Sequence, residues 1–159
     1  MAVFFDVSEI FQFAIRIEEN GESFYRNVAG KVSDKELKGI FTYLADEEAR
    51  HKKIFTDMVN SVKRYEPPET YTGEYFQYLR SYADTVVFPP EIERELDTEG
   101  GVVKAIDFAI RRELDSIMYY LETKNLVPAT QHQLMDKILE EERSHFVRLS
   151  IMKEKILKK

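Results

Sequence analysis

Apolar residues recur at threes and fours along most of the chain, and glycine and proline divide the pattern into helical segments. The first predicted helix runs from about Ser8 to Ala29 and stops at Gly30. Ser33-Asp34-Lys35-Glu36 has the form of a capping box and opens a second helix, which continues to about Arg64 before Pro67-Pro68. A shorter helix spans about Glu74 to Val87 and ends at Pro89-Pro90. Gly100-Gly101 precedes the next, which reaches about Asn125. Pro128 and Thr130 then open a last helix that runs almost to the end of the sequence. No strand-like alternation of any length occurs. The pattern predicts an all-α domain over residues 1–159, with four long helices and one short one.

Two of the apolar stripes carry charges at their centres. In the second helix the stripe reads Leu37, Phe41, Leu44, Glu48, His51, Phe55, Met58, Val62. In the last it reads Ile138, Glu142, His145, Leu149, Met152, Ile156. The charged positions belong to two near-copies of one hexapeptide, DEEARH at Asp46–His51 and EEERSH at Glu140–His145. A Glu-x-x-His pair alone is a short motif that chance supplies readily. On a core-facing stripe it is another matter. A buried carboxylate or imidazole costs several kcal/mol unless it is paired or bound to a cation.

A second repeat supplies further carboxylates. FAIRIEENGESFY at Phe13–Tyr25 aligns with FAIRRELDSIMYY at Phe108–Tyr120, placing Glu18 on Glu113 and Tyr25 on Tyr120. Phe11, Ala14, Glu18 and Tyr25 share one helix face; Ile106, Ala109, Glu113 and Tyr120 share another. Glu19 falls with Gln12, Glu22 and Arg26 on the opposite side, so Glu18 is the inward residue. Glu48 follows Glu18 at nearly the interval by which Glu142 follows Glu113. The chain reads as a duplicated helix pair with a connector between its halves.

Two helices each giving a Glu and two each giving Glu-x-x-His form a donor set for two metal ions in a bundle core. On these residues the sequence resembles the ferritin-like di-iron carboxylate superfamily, and within it the rubrerythrin family, over essentially its whole length. The resemblance implies a ferritin-like four-helix bundle with a long crossover holding the short helix. It implies metal ligands Glu18, Glu48, His51, Glu113, Glu142 and His145: Glu18 and Glu113 terminal, Glu48 and Glu142 bridging, and each Glu-x-x-His pair capping one ion. Iron is the implied metal, as a pair of ions, and O2 or peroxide the implied reactant. Affinity rules alone leave Mn and Zn open. Four carboxylates and two neutral imidazoles balance the charge of two divalent ions. Glu47 and Glu141, each four residues before its His, are competing ligands beside the stripe rather than in it.

Two departures from the family narrow the reaction. Its name-giving members add a rubredoxin-like domain that holds iron with four cysteines; this chain has no cysteine. Electrons must therefore come from another protein. Those members also carry a further Glu, tied to peroxide reduction, where this sequence has Ser116. Beside an oxidoreductase, iron binding linked to storage and a metal-stabilised scaffold remain as readings.

Composition bounds the rest. A hydrophobic share of 43% beside 33% charged residues describes a globular chain with a real core, neither disordered nor membranous. The net charge of −6 with no offsetting basic cluster argues against a nucleic-acid partner. Asp6 and Glu9 interrupt the apolar start, which lacks a basic n-region, so no signal peptide or membrane span is expected and the cytoplasm is the default location. Tyr25 and Tyr120 could bond ligand carboxylates or act as redox side chains, although a buried tyrosine with a satisfied hydroxyl is the simpler account. Glu22 reads as part of a solvated face, and His132 as a surface residue near the start of the last helix. The tyrosine-rich connector, residues 65–90, carries no proposed ligand and is expected to contribute to a homodimer interface.

Overall fold

A computed structural model describes residues 7–62, 73–85 and 100–159. Helix α1 spans Val7–Lys31, α2 Lys35–Ser61, α3 Gly73–Thr85, α4 Gly101–Lys124 and α5 His132–Leu157, and no strand occurs among the described residues. The all-α expectation holds. Residues 65–72 and 86–90 of the aromatic connector, with Pro67-Pro68, Pro89-Pro90 and the expected end of the short helix at Val87, lie outside the described residues.

Local chemistry moves several boundaries. Helix α1 passes through Gly30 and ends at Lys31, because a glycine lowers helix propensity without preventing a hydrogen-bonded turn. The capping box does not form around Ser33. Asp34 is the N-cap instead, and its carboxylate accepts from the backbone N–H of Leu37 at 3.0 Å. That bond holds the Asp34 carboxyl below its usual range. Helix α2 closes at Ser61, short of Arg64, with the Val62 N–H returning to the Val59 carbonyl. Gly100 caps α4 at a φ of 74°, a left-handed conformation that favours glycine. A single 3-10 turn, Ala129–Gln131, separates Pro128 from α5.

The short link from Lys31 to Lys35 forces α1 and α2 into an antiparallel hairpin, and α4 and α5 form the second. The hairpins meet through two apolar clusters. One gathers Ile10, Phe11 and Ile17 of α1, Phe55 and Met58 of α2, Tyr119 and Tyr120 of α4, and Met135 and Ile138 of α5, with Leu79 of α3 packed onto it. The other gathers Phe24, Tyr25 and Val28, Leu37, Phe41 and Leu44, Ile106 and Ala109, and Leu149 and Met152. On every long helix the switch from one cluster to the other falls at a charged residue. The core is thus two apolar blocks with a polar layer between them. No described helix is long and apolar enough to cross a membrane.

Phe41 is fully buried and stacks on Tyr25 with ring centroids 6.1 Å apart. Phe41→Ala should cost about 3–5 kcal/mol of unfolding free energy, the range for deleting a buried aromatic ring. Urea titration followed by circular dichroism measures it; a loss under about 1 kcal/mol would show that this end of the bundle is not tightly packed.

Candidate metal centre

The polar layer consists of Glu18 from α1, Glu48 and His51 from α2, Arg112 and Glu113 from α4, and Glu142 and His145 from α5, each no more than 2% exposed. All six residues expected as ligands are therefore in one dehydrated place. Their hydrogen bonding is conspicuously incomplete. Glu18 Oε2, Glu48 Oε1, Glu113 Oε2, Glu142 Oε1, His51 Nδ1 and His145 Nδ1 are buried and make no hydrogen bond. Each of the six residues contributes such an atom, and His145 contributes both ring nitrogens. An unsatisfied buried acceptor costs about 1–3 kcal/mol, more when charged, so this arrangement is strongly unfavourable unless something else binds there.

The atoms converge in two overlapping groups. Glu18, His51 and Glu142 offer ligand atoms within 4.8 Å of one another, as do Glu48, Glu113, Glu142 and His145. Glu142 belongs to both, with Oε1 2.9 Å from His51 Nδ1 and 3.8 Å from His145 Nδ1. The 2.9 Å approach lacks hydrogen-bond geometry, which fits two donors aimed at a common point better than a bonded pair. Glu142 and His145, one of the two Glu-x-x-His pairs, fall together in the second group. His51 gathers with Glu142 of α5 rather than with Glu48 of its own helix.

Three of the inward groups, Glu18, Glu113 and His51, are braced from the opposite hairpin. The Tyr25 hydroxyl of α1 donates to Glu113 Oε1 of α4, and the Tyr120 hydroxyl of α4 donates to Glu18 Oε1 of α1. The two tyrosines are thus both buried packing residues and direct partners of carboxylates. Across α2 and α5, His51 Nε2 lies 2.8 Å from Glu141 Oε2. Beside an ionised carboxylate this nitrogen is the donor, which leaves Nδ1 facing the layer. His145 Nε2 has the matching neighbour, Glu47 Oε2, at 3.9 Å, beyond hydrogen-bond range. Arg50 draws the two outer carboxylates together, donating to Glu47 Oε2 at 2.8 Å and Glu141 Oε2 at 2.6 Å. Glu47 and Glu141 also group with His51 as possible ligands. Their side chains, 20% and 24% exposed, are held outward by Arg50, so they are better placed to orient the imidazoles.

Electrostatics tell the same story. Burial and the neighbouring Glu18 charge push the Glu48 carboxyl well above its usual range; burial with Glu113 and Glu18 does the same to Glu142. For Glu18, burial acts upward too, but Glu48, His51 and Tyr120 outweigh it and hold the carboxyl at about 2. His145 likewise overcomes burial to lower Glu113. Burial alone would lower His51, yet the close approach of Glu142 and Glu18 carries it up to about 11. A dry layer holds four carboxylates ionised only with positive charge beside them.

Sequence reasoning passed over Arg112. It is 2% exposed, donates to the Ile17 carbonyl at 2.7 Å, lies 3.5 Å from Glu48 Oε2 and crosses the Tyr25 ring at 5.7 Å. Glu48 and its neighbours keep it charged despite burial. The repeat holds the signal: FAIRRE places Arg112 where FAIRIE places the core residue Ile17. The guanidinium fits because Gly21 faces it, where any Cβ would collide with it. Of the remaining candidates, Glu22 pairs with Arg26 at 2.9 Å, and His132 is half-buried at the start of α5, 3.1 Å from the Val127 carbonyl. Ser116, 2% exposed, lies one turn beyond Glu113.

The rubrerythrin family model matches residues 9–153. The chain belongs to the rubrerythrin family. A crystal structure from Thermotoga maritima, assigned to the ferritin-like diiron-carboxylate proteins, is 31% identical, with 94% of this chain and 95% of that one covered at a TM-score of 0.72. A hypothetical protein from Pyrococcus furiosus is 24% identical over 97% of this chain and 92% of its own, with a TM-score of 0.73, and shows the shared fold. No curated protein matches the sequence.

Gly21→Ala should destabilise this member of the family by about 1–3 kcal/mol, the usual penalty for overpacking a filled core. In an Arg112→Ala background the same substitution should cost much less, since the clash partner is gone. Denaturant midpoints for the four proteins of the cycle measure the coupling; additive effects would mean that the two residues do not press on each other.

Proposed function

We propose that the protein is a non-haem di-iron carboxylate oxidoreductase that reacts with O2 or peroxide. The observation that carries this reading is the set of six unbonded, inward atoms, one from each of Glu18, Glu48, His51, Glu113, Glu142 and His145. The donor set suits the group: carboxylate oxygens and imidazole nitrogens favour iron or manganese over soft-ligand metals. Glu18 and His51 would hold one ion, Glu113 and His145 the other, with Glu142 shared and Glu48 beside the second. A ferrous pair would supply two electrons to an oxidant bound between helices.

The chain's own residues would do the rest. Tyr25 and Tyr120 fix the outer oxygens of Glu113 and Glu18, leaving one oxygen of each for a metal. Glu141 holds the His51 ring through Nε2. The two apolar clusters exclude water from above and below. Arg112 adds one positive charge to a set that two divalent ions would otherwise neutralise, which favours one exogenous anion at the centre. Ser116 supplies no carboxylate at the position associated with peroxide reduction in the name-giving relatives. An iron-storage role or a purely structural metal is the alternative. The first would load more than two ions per chain, and the second would bind two without reacting.

Anaerobic Fe(II) titration should saturate at about two ions per chain, and admitting O2 or peroxide should then oxidise them with an optical change. Glu142→Gln should lower the stoichiometry or the affinity. In the metal-free protein the same substitution should leave the unfolding midpoint unchanged or higher, because it removes a carboxyl that its neighbours already oppose. Stabilisation by metal, about 3 kcal/mol at a hundredfold excess over Kd, should be lost in the variant. Equal metal-induced midpoint shifts in wild type and Glu142→Gln would remove Glu142 from the site.

Binding should also release protons. Glu48, Glu142 and His51 have raised proton affinities in the metal-free layer and must deprotonate to ligate, so metal affinity should rise with pH. Calorimetry of Zn(II) or Mn(II) binding in buffers of different ionisation enthalpy, between roughly pH 6 and 8, measures the release. No proton release would contradict ligation by these three groups.

A further inference from the structure

A row of tyrosines leads from the surface of α3 to the polar layer. Tyr75, Tyr78 and Tyr82 share one face of α3 at three- and four-residue spacing, with ring centroids 6.1 Å apart at each step. Tyr82 stacks on Tyr119 of α4 at 6.4 Å with planes 7° apart. Tyr119 meets Tyr120 edge-on at 5.8 Å, and Tyr120 donates its hydroxyl to Glu18. Tyr78 at the outer end is 44% exposed, whereas Tyr119 and Tyr120 are no more than 1% exposed. Aromatic clusters often serve packing alone. Here an exposed ring is joined, without a gap, to one bonded to a proposed metal ligand.

We propose that Tyr78, Tyr82, Tyr119 and Tyr120 form a one-electron path by which a carrier protein, docking at α3, supplies electrons to the centre while O2 or peroxide is reduced there. This rests on the redox reading above. It answers a need of the chain, which has no cysteine and no tryptophan, so its phenols are the aromatic groups most easily oxidised. Proton acceptors stand at alternate stations. Tyr82 donates to the Asp115 carbonyl at 3.0 Å and lies 3.3 Å from Asp115 Oδ1, Tyr120 donates to Glu18, and Tyr75 at the flank donates to Glu122 at 2.9 Å. Tyr119 donates to a carbonyl, that of Ile10, at 3.2 Å, so its ring bridges Tyr82 and Tyr120 and is no resting place for charge.

The electron balance is simple. Tyr120 gives one electron to the centre while its phenolic proton shifts to Glu18. An electron from Tyr82 passes through the Tyr119 ring and restores Tyr120, whose proton returns, while the Tyr82 proton moves to Asp115. Tyr78 refills Tyr82, whose proton returns from Asp115, and gives its own proton to water; the carrier, oxidised by one electron, refills Tyr78, which takes a proton back from water. No tyrosine is changed at the end. The centre has gained one electron and the carrier has lost one.

The same coupling must serve a vacancy travelling inward, which allows a test independent of turnover. In the full-length protein loaded with Zn(II), which does no redox chemistry, pulse-generated azide radical oxidises exposed phenols. Freeze-quench high-field EPR then follows where the phenoxyl resides. In wild type the surface signal should give way to that of a phenoxyl bonded to a carboxylate. Tyr82→Phe should lengthen the life of the surface phenoxyl by an order of magnitude, and Tyr119→Phe should stop the signal short of Tyr120. Phenylalanine keeps the ring packing, and Tyr82→Phe, at a half-buried position of α3, carries the test if Tyr119→Phe folds poorly. Tyr43, 38% exposed with its ring 6.2 Å from that of His145, is the competing exit. Wild-type decay in both ladder variants, or slowing in Tyr43→Phe alone, would overturn the proposal. Failure of the redox reading would appear separately, as inert Fe(II)-loaded wild type in which phenoxyl migration persists.

Discussion

The structure is organised around a single electrostatic constraint: four carboxylates, two imidazoles and a guanidinium lie in a layer that water does not reach. Apolar packing above and below makes the layer dry, and dryness makes each unpaired charge costly. The bundle cannot be understood as a continuous hydrophobic core with polar exceptions. It is two apolar blocks holding a polar sheet of side chains, and the blocks are what position those side chains. The requirement for positive charge in that layer links the packing to metal chemistry.

Precision in the layer comes from exchange between the two hairpins. Tyr25 reaches Glu113 and Tyr120 reaches Glu18; His51 reaches Glu141, and Arg50 ties Glu141 to Glu47. Each brace crosses from one half of the repeat to the other. A carboxylate braced only by its own helix would keep several rotamers, and ordering them would fall to the ligand. Bracing from the partner hairpin makes docking of the halves and formation of the site the same event.

The repeat is broken where its symmetry would be least useful. Arg112 replaces the apolar Ile17 of the other half, and Gly21 clears the space that its guanidinium fills. The two sides of the layer therefore differ in charge, with Glu48 nearest the cation at 3.5 Å. A second asymmetry lies in the outer partners. His51 has a carboxylate at hydrogen-bond distance, while its counterpart His145 has one at 3.9 Å and an exposed aromatic edge, Tyr43, nearby. Two positions related by sequence repetition thus have unequal surroundings.

Much of this was legible in the sequence, for a definite reason. Helix periodicity is local, so the helices, their inward faces and the burial of Glu18, Glu48, His51, Glu113, Glu142 and His145 follow from spacing alone. The short link between the first two helices fixed their pairing. Boundaries were less legible where competing local bonds decide, as when Asp34 rather than Ser33 took the cap. What only the tertiary structure decided lies across helices: that Glu142 approaches His51, that each tyrosine braces the opposite half, and that Arg112 turns inward. These contacts join residues far apart in sequence, and no period along one helix contains the distance between two. Arginine on a helix is ordinarily solvated; only the cleft at Gly21 and the unpaired carboxylates beside it make burial favourable.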